Sequence, residues 1–219
     1  SYLDAEGNTQ QRTEYTILTG SETKLAGGWY VAKGPLDYSR MISLSGDVHL
    51  ILKDGAVMRV GTEQSRVDNY GINGDGHSFS ICAQSTGDSK GQLSVNATNK
   101  AICAKNITIS GGQVTANGGN DGIYANEGDV TISGGQVTTN GIQASGNVTL
   151  GWTSLSDFIQ ANSYNGSVSI AEGKLFAVYD GETLTSYLPS GALSSQKVST
   201  LGGKSLRAVT STTVSYLDA

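Results

Sequence analysis

Ile107-Thr108-Ile109-Ser110-Gly111-Gly112-Gln113-Val114-Thr115 returns 23 residues later as Val130-Thr131-Ile132-Ser133-Gly134-Gly135-Gln136-Val137-Thr138, with one Ile-to-Val difference. An exact phrase at a fixed step outranks any reading of single elements, because it marks a structural unit that stacks on copies of itself. Degenerate copies of the opening tripeptide lie on both sides, as Phe79-Ser80-Ile81, Val148-Thr149-Leu150 and Val168-Ser169-Ile170. A second phrase keeps step with it. Ile102-Cys103-Ala104, Ile123-Tyr124-Ala125, Ile142-Gln143-Ala144 and Ile159-Gln160-Ala161 begin 21, 19 and 17 residues apart.

Each period holds three short stretches of alternating apolar and polar residues, for example 106–110, 113–116 and 122–125, separated by Gly and Asn turns. No window has a helical period. Three strands in about 20 residues, repeated with small offsets, predict an all-β, single-stranded right-handed parallel β-helix with three sheets. In such a coil Ile and Val point inward, while the Thr, Gln and Asn between them face solvent. The glycine pair after each Ile-Ser is placed at a corner, where positive φ is often needed.

Residues 46–170 are read as the coils, beginning with a looser one over 48–52, 56–60 and 70–72. A solenoid end exposes unpaired edges, so caps are expected. Residues 1–45 are assigned to an N-terminal cap with strands at 15–18, 29–32 and 41–44. Residues 171–214 are assigned to a C-terminal cap with strands at 175–179, 184–188 and 206–209. Ser1-Tyr2-Leu3-Asp4-Ala5 recurs as Ser215-Tyr216-Leu217-Asp218-Ala219. The expectation is one module over 1–214, with 215–219 starting the next of a tandem array, so that neighbouring modules of the same chain are partners.

The chain has 219 residues, 14 Lys and Arg against 19 Asp and Glu, and a net charge of -5. That balance argues against a nucleic-acid partner, which would call for a basic face. Thirty glycines with only 2 prolines and no Gly-X-Y period exclude collagen. No stretch approaches the roughly 18 apolar residues of a membrane span, so no membrane insertion is expected. Cys82 and Cys103 fall in different strand phrases and are expected as free thiols.

Residues 1–8, Gly28-Trp29-Tyr30-Val31 and Gly46-Asp47-Val48-His49-Leu50-Ile51-Leu52, followed by Thr-Ile-Ser-Gly-Gly phrases, resemble the pectate-lyase-like β-helix modules of large bacterial cell-surface adhesin-type proteins. The resemblance implies a secreted or cell-surface location. The chain is also similar to a calcium-carrying β-helix family that binds acidic polysaccharide, whose coils read Asp-Gly-Ile-Asp-Ser/Ala-Asn. Asp121-Gly122-Ile123-Tyr124-Ala125-Asn126 matches that pattern except at Tyr124, and Gln143 stands at the same place one coil on. The resemblance therefore implies calcium at Asp121 and Asn126 without the family's second carboxylate, and no other cofactor.

Asn117, Asn120, Asp121, Glu127 and Asp129 make an oxygen-rich corner, readable as calcium ligands or as turn residues bonding their own backbone. Arg59, Arg66, Asp68 and Asp75 are the set from which a lyase's base and cation would come, against the plainer reading of a charged loop. His49 is expected to face outward, and neither it nor His77 is expected to have a nucleophile partner, so a hydrolase triad is not expected. Tyr124 lies between two inward positions and should face out, with Trp152 and Tyr164 at nearby corners. These three are the expected carbohydrate contacts, since aromatic faces stack on sugar rings. The function expected is a non-catalytic adhesin or stalk module binding polysaccharide or a surface glycan on an outer sheet face. The alternatives are a β-helix polysaccharide lyase or glycoside hydrolase, and a pure spacer or protein-interaction module.

Overall fold

The computed structural model describes residues 1–211. The second Ser-Tyr-Leu-Asp-Ala, at 215–219, lies outside them. The fold is all-β, with one five-residue helix among the described residues, Ser195–Ser199, and a large, mostly parallel sheet.

Parallel pairing runs in three ladders, each joining a strand to its counterpart one sequence period away. The first stacks Ile42, Ile72, Ile102, Ile123, Ile142 and Tyr164 in register. The second stacks Gly28, Val48, Phe79, Ile107, Val130, Val148 and Val168. The third stacks Leu36, Met58, Leu93, Val114, Val137 and Ile159. Apart from Gly28 and Tyr164, these positions are aliphatic side chains, Met58 or Phe79, and all but Gly28 are buried. Between them Thr108, Thr131, Thr149 and Ser169 form a partly exposed polar row, as a period of two requires. The second glycine of each Ser-Gly-Gly phrase has positive φ, 89° at Gly112 and 93° at Gly135, as a corner demands.

Two details differ from the repeat reading. Ile159 belongs to the third ladder, beside Val137, and not to the column of Ile142. Tyr164 takes the place opposite Ile142. Parallel pairing also reaches back into the segment assigned to the N-terminal cap, to Thr16–Ile17 and Lys24–Leu25. The connections there are irregular and carry no Ser-Gly-Gly phrase, so the repeat is invisible although the pairing is regular.

Antiparallel pairing marks the two ends. Tyr2–Leu3 pairs with Thr9–Gln10 in a small hairpin that lies against the outside of the second ladder. At the other end the strand Tyr164–Asp180 turns back as Thr183–Ala192, and Ser205–Val209 pairs with both Phe158–Ala161 and Tyr164–Asp180. Phe176, Val178, Leu188, Leu201 and Leu206 bury themselves in the same core as the Ile and Val columns.

Near the N-terminal end, Glu22 accepts bonds from Thr19 N and Oγ1 at 2.8 and 2.7 Å and from Tyr38 Oη at 2.8 Å. Burial pushes its carboxyl up, but these donors outweigh burial and hold its pKa at about 2. A carboxyl held below its ordinary value contributes stability above pH 4.5 that is lost as pH falls toward 2. After allowance for solvent screening of a partly exposed group, that contribution is about 1–2 kcal/mol. Glu22→Gln should therefore lower stability at neutral pH and flatten the fall in acid, measured by denaturant melts between pH 7 and 2.

Candidate functional surface around Tyr124

Tyr124 sits in the short strand Asp121–Ala125, with buried Ile123 and Ala125 on either side, so alternation turns its ring outward. It is half-buried because the preceding strand supplies a lid. Lys100 pairs in register with Asp121, and its ammonium lies 3.9 Å from the centroid of the Tyr124 ring. The same ammonium donates to Asp121 Oδ2 at 2.7 Å. Both side chains are largely out of water, with 16% of Lys100 and 11% of Asp121 exposed. The pair is thus a neutral buried unit roofing one part of the phenol. Beside Tyr124 in register stand Cys103 on one strand and Gln143 then Asn165 on the next two, giving a row of outward amides beyond the ring.

Lys100→Met leaves the Asp121 carboxylate without its partner in a poorly solvated place, which costs more than the pair itself contributes. We expect a loss of about 1–3 kcal/mol in a denaturant melt, and partial recovery when Asp121→Asn is added.

The calcium reading does not survive this geometry. Asp121 opens a five-residue strand and Asn126 follows its end, which separates them by roughly 16 Å at the rise of an extended chain. One ion needs its oxygens about 2.3–2.6 Å away, so the two residues cannot share it. Asp121 is committed to Lys100, and Asn126 Nδ2 donates to Asp75 Oδ1 at 2.6 Å while its Oδ1 is buried without a partner. Among the described residues no three His, Cys, Asp or Glu side chains gather as a metal site would need. The oxygen-rich corner resolves into two ladders of turn residues on successive strands. Asn69, Asn99 and Asn120 pass amide bonds along at 3.0 and 2.7 Å, and Asn140 Nδ2 donates to Asn120 O at 3.1 Å. On the other side Asn106 Oδ1 accepts from Asp129 N, and Asp129 Oδ1 from Asn147 N.

The other two aromatic candidates lie elsewhere. Tyr164 is a correction: it is 7% exposed and belongs to the core, because it fills the column position that follows Ile142. Burial pushes its phenol well above the ordinary range. Trp152 is partly buried against the core, donates its indole N–H to Leu175 O at 2.9 Å, and carries Lys174 Nζ 4.5 Å over its ring. It packs against the strand Tyr164–Asp180 and does not adjoin Tyr124 in any ladder.

The charged set weighed for lyase chemistry is dispersed among other partners. Arg59 pairs with Asp37 at 3.3 Å, Arg66 donates to Ala97 O at 3.3 Å, Asp68 accepts from Thr98 Oγ1 at 3.2 Å, and Asp75 holds Asn126. His49 faces outward as alternation predicts and stacks on Trp29, centroids 4.4 Å apart. Burial pushes its imidazole below the usual value. Cys82 and Cys103 are free and lie in different ladders. Burial raises both thiols, Cys103 to about 11, which leaves them protonated and poorly nucleophilic at neutral pH. A cavity of about 660 Å³ opens between residues 162–168 and the helix Ser195–Ser199, and its lining has no charged side chain. No helix among the described residues is long and apolar enough to cross a membrane.

Sequence reasoning missed Lys100 as the partner of Asp121 and Tyr124. The signal was present, since Lys100 precedes Asp121 by one period of 21 residues and carries the opposite charge. No protein-family model matches the chain, and neither a curated protein nor a solved structure matches it.

Proposed function

We propose that the three parallel ladders are the faces of a right-handed parallel β-helix, and that this helix is a non-catalytic stalk or adhesin module of a secreted or cell-surface protein. The right hand is that of nearly all parallel crossovers. The observation that carries the reading is the in-register stacking of like on like, Ile102 on Ile123 on Ile142 and Val130 on Val148 on Val168. Such stacking builds a stiff rod whose outer positions are free to vary.

On that rod Tyr124, with Gln143 and Asn165 beside it, is the polysaccharide contact. A phenol ring supplies an apolar face, and the amides supply both donors and acceptors for hydroxyl groups. Because Asp121 neutralises Lys100 and the chain carries net negative charge, a neutral polymer suits this surface better than an acidic one.

The test is retention of the purified chain on immobilised neutral and acidic polysaccharides, with the same polymers assayed for new reducing or unsaturated ends. Retention without new ends supports the reading. Tyr124→Ala should then weaken retention about tenfold, the worth of one stacked ring. New chain ends would replace the proposal with a lyase or hydrolase, and neither retention nor cleavage would leave the rod as a spacer.

A further inference from the structure

The outward positions of the second ladder change character along its length. Trp29, His49, Ser80, Thr108, Thr131 and Thr149 form one outward row, and Ile17, Val31, Ile51 and Cys82 form the next. The first row becomes polar from Ser80 onward, and the second is apolar throughout. Apolar residues turned away from the core need a cover, and here the cover is the N-terminal hairpin.

Tyr2 packs against Trp29 in a tilted arrangement, centroids 4.7 Å apart and planes at 44°, and both rings pack against the separate cluster of Val31, Ile51 and Cys82. Leu3 is 7% exposed, and its carbonyl accepts from Ser110 Oγ at 3.1 Å. Asp4 closes the turn, accepting from Asn8 N at 2.8 Å and Gln10 Nε2 at 2.8 Å. Within the strap, Tyr2 meets Trp29, Val31, Ile51 and Cys82, and Leu3 meets Ser110 through its carbonyl; Arg12, just beyond the strap, lies 5.2 Å over the Trp29 ring. Tyr2 and Leu3 both lie in the five residues that the chain carries twice, again as 215–219. The strap does not cover the whole row: Ile17 is 48% and Tyr15 49% exposed, beside a cavity of about 300 Å³ lined by Ser1, Val31 and Ile51 among others.

We propose that the outer face of Trp29, Val31, Ile51 and Cys82 is a docking groove for the sequence Ser-Tyr-Leu-Asp-Ala, and that residues 215–219 of a second copy of this chain occupy it when the chain's own strap leaves. Tyr216 takes the place of Tyr2 on Trp29, and Leu217 that of Leu3 under Ser110. The contact joins residues 215–219 of one copy to the second ladder of another, so it is heterologous and builds rings or open head-to-tail chains. In the intact molecule the tethered strap competes at an effective concentration near millimolar and keeps the groove filled.

The test uses the full chain with Leu3→Glu, which expels the strap and leaves residues 215–219 unchanged. Sedimentation velocity should show the sedimentation coefficient of this variant rising with protein concentration, while the parent chain stays at one value. Adding Leu217→Glu to the same chain should return it to the parent's behaviour. A fluorescently labelled peptide of residues 212–219 should bind the Leu3→Glu chain at least tenfold more tightly than the parent, by anisotropy. If Leu3→Glu abolishes the cooperative melt, Tyr2→Ser takes its place in both measurements. A folded strap variant that stays monomeric and does not bind the peptide overturns the proposal. So does association that persists with Leu217→Glu.

Discussion

Gly122→Ala should cost about 3 kcal/mol or more of stability, a larger loss than any surface substitution in the chain. A Cβ built at Gly122 overlaps the Ala116 carbonyl oxygen and the Thr139 hydroxyl. The first of these is backbone in the adjoining part of the third ladder, so no side-chain rotation relieves the clash, and a strand has to move. Overpacking of this kind costs 1–3 kcal/mol or more even where side chains yield. Gly55→Ala is the control. Gly55 has φ of 75° but nothing within 4 Å of its added methyl, so only backbone strain of about 1 kcal/mol is expected. Denaturant melts of the two variants separate close approach from conformational need. Equal losses would mean that the Gly122 neighbourhood yields more easily than its packing implies.

Phe79→Ala should destabilise by about 3–5 kcal/mol, the usual cost of deleting a buried aromatic ring. Phe79 is 1% exposed and stands in the second ladder between Val48 and Ile107, where the neighbouring columns of like residues cannot collapse into the space without breaking register. Phe79→Leu, which keeps most of the volume, should recover more than half of the loss. A loss below 1 kcal/mol for Phe79→Ala in urea melts would show that the interior at this level is loosely packed. Ser80→Ala, one residue on and facing outward, should change stability by no more than about 0.5 kcal/mol.

The Ser-Gly-Gly phrases and the flanking Val/Ile-Thr-Ile tripeptides were enough to predict the all-β class, the parallel pairing of Ile107 with Val130 and of Ile102 with Ile123, the inward and outward sides, and the corner glycines. They succeed because identical side chains stack only when the backbone repeats, so the period in the chain is the period in space. Where the connections change length, the sequence period stops tracking the structure. Ile159-Gln160-Ala161 copies the phrase of Ile142-Gln143-Ala144 in letters yet pairs with Val137, and Tyr164 goes inside in its stead.

The outward direction of Tyr124 and His49 was likewise legible, because it follows from alternation along one strand. What surrounds them was not. The Lys100 ammonium over Tyr124, the Asp75 bond to Asn126 and the hairpin over Val31 and Ile51 join residues that are 24, 51 and nearly 30 or more apart in sequence. Local pattern reports which way a side chain points, since that is set by the backbone of its own strand. Which neighbour then satisfies its charge, fills its lone pair or covers its apolar surface depends on how strands from different periods are brought side by side, and only the tertiary structure decided that.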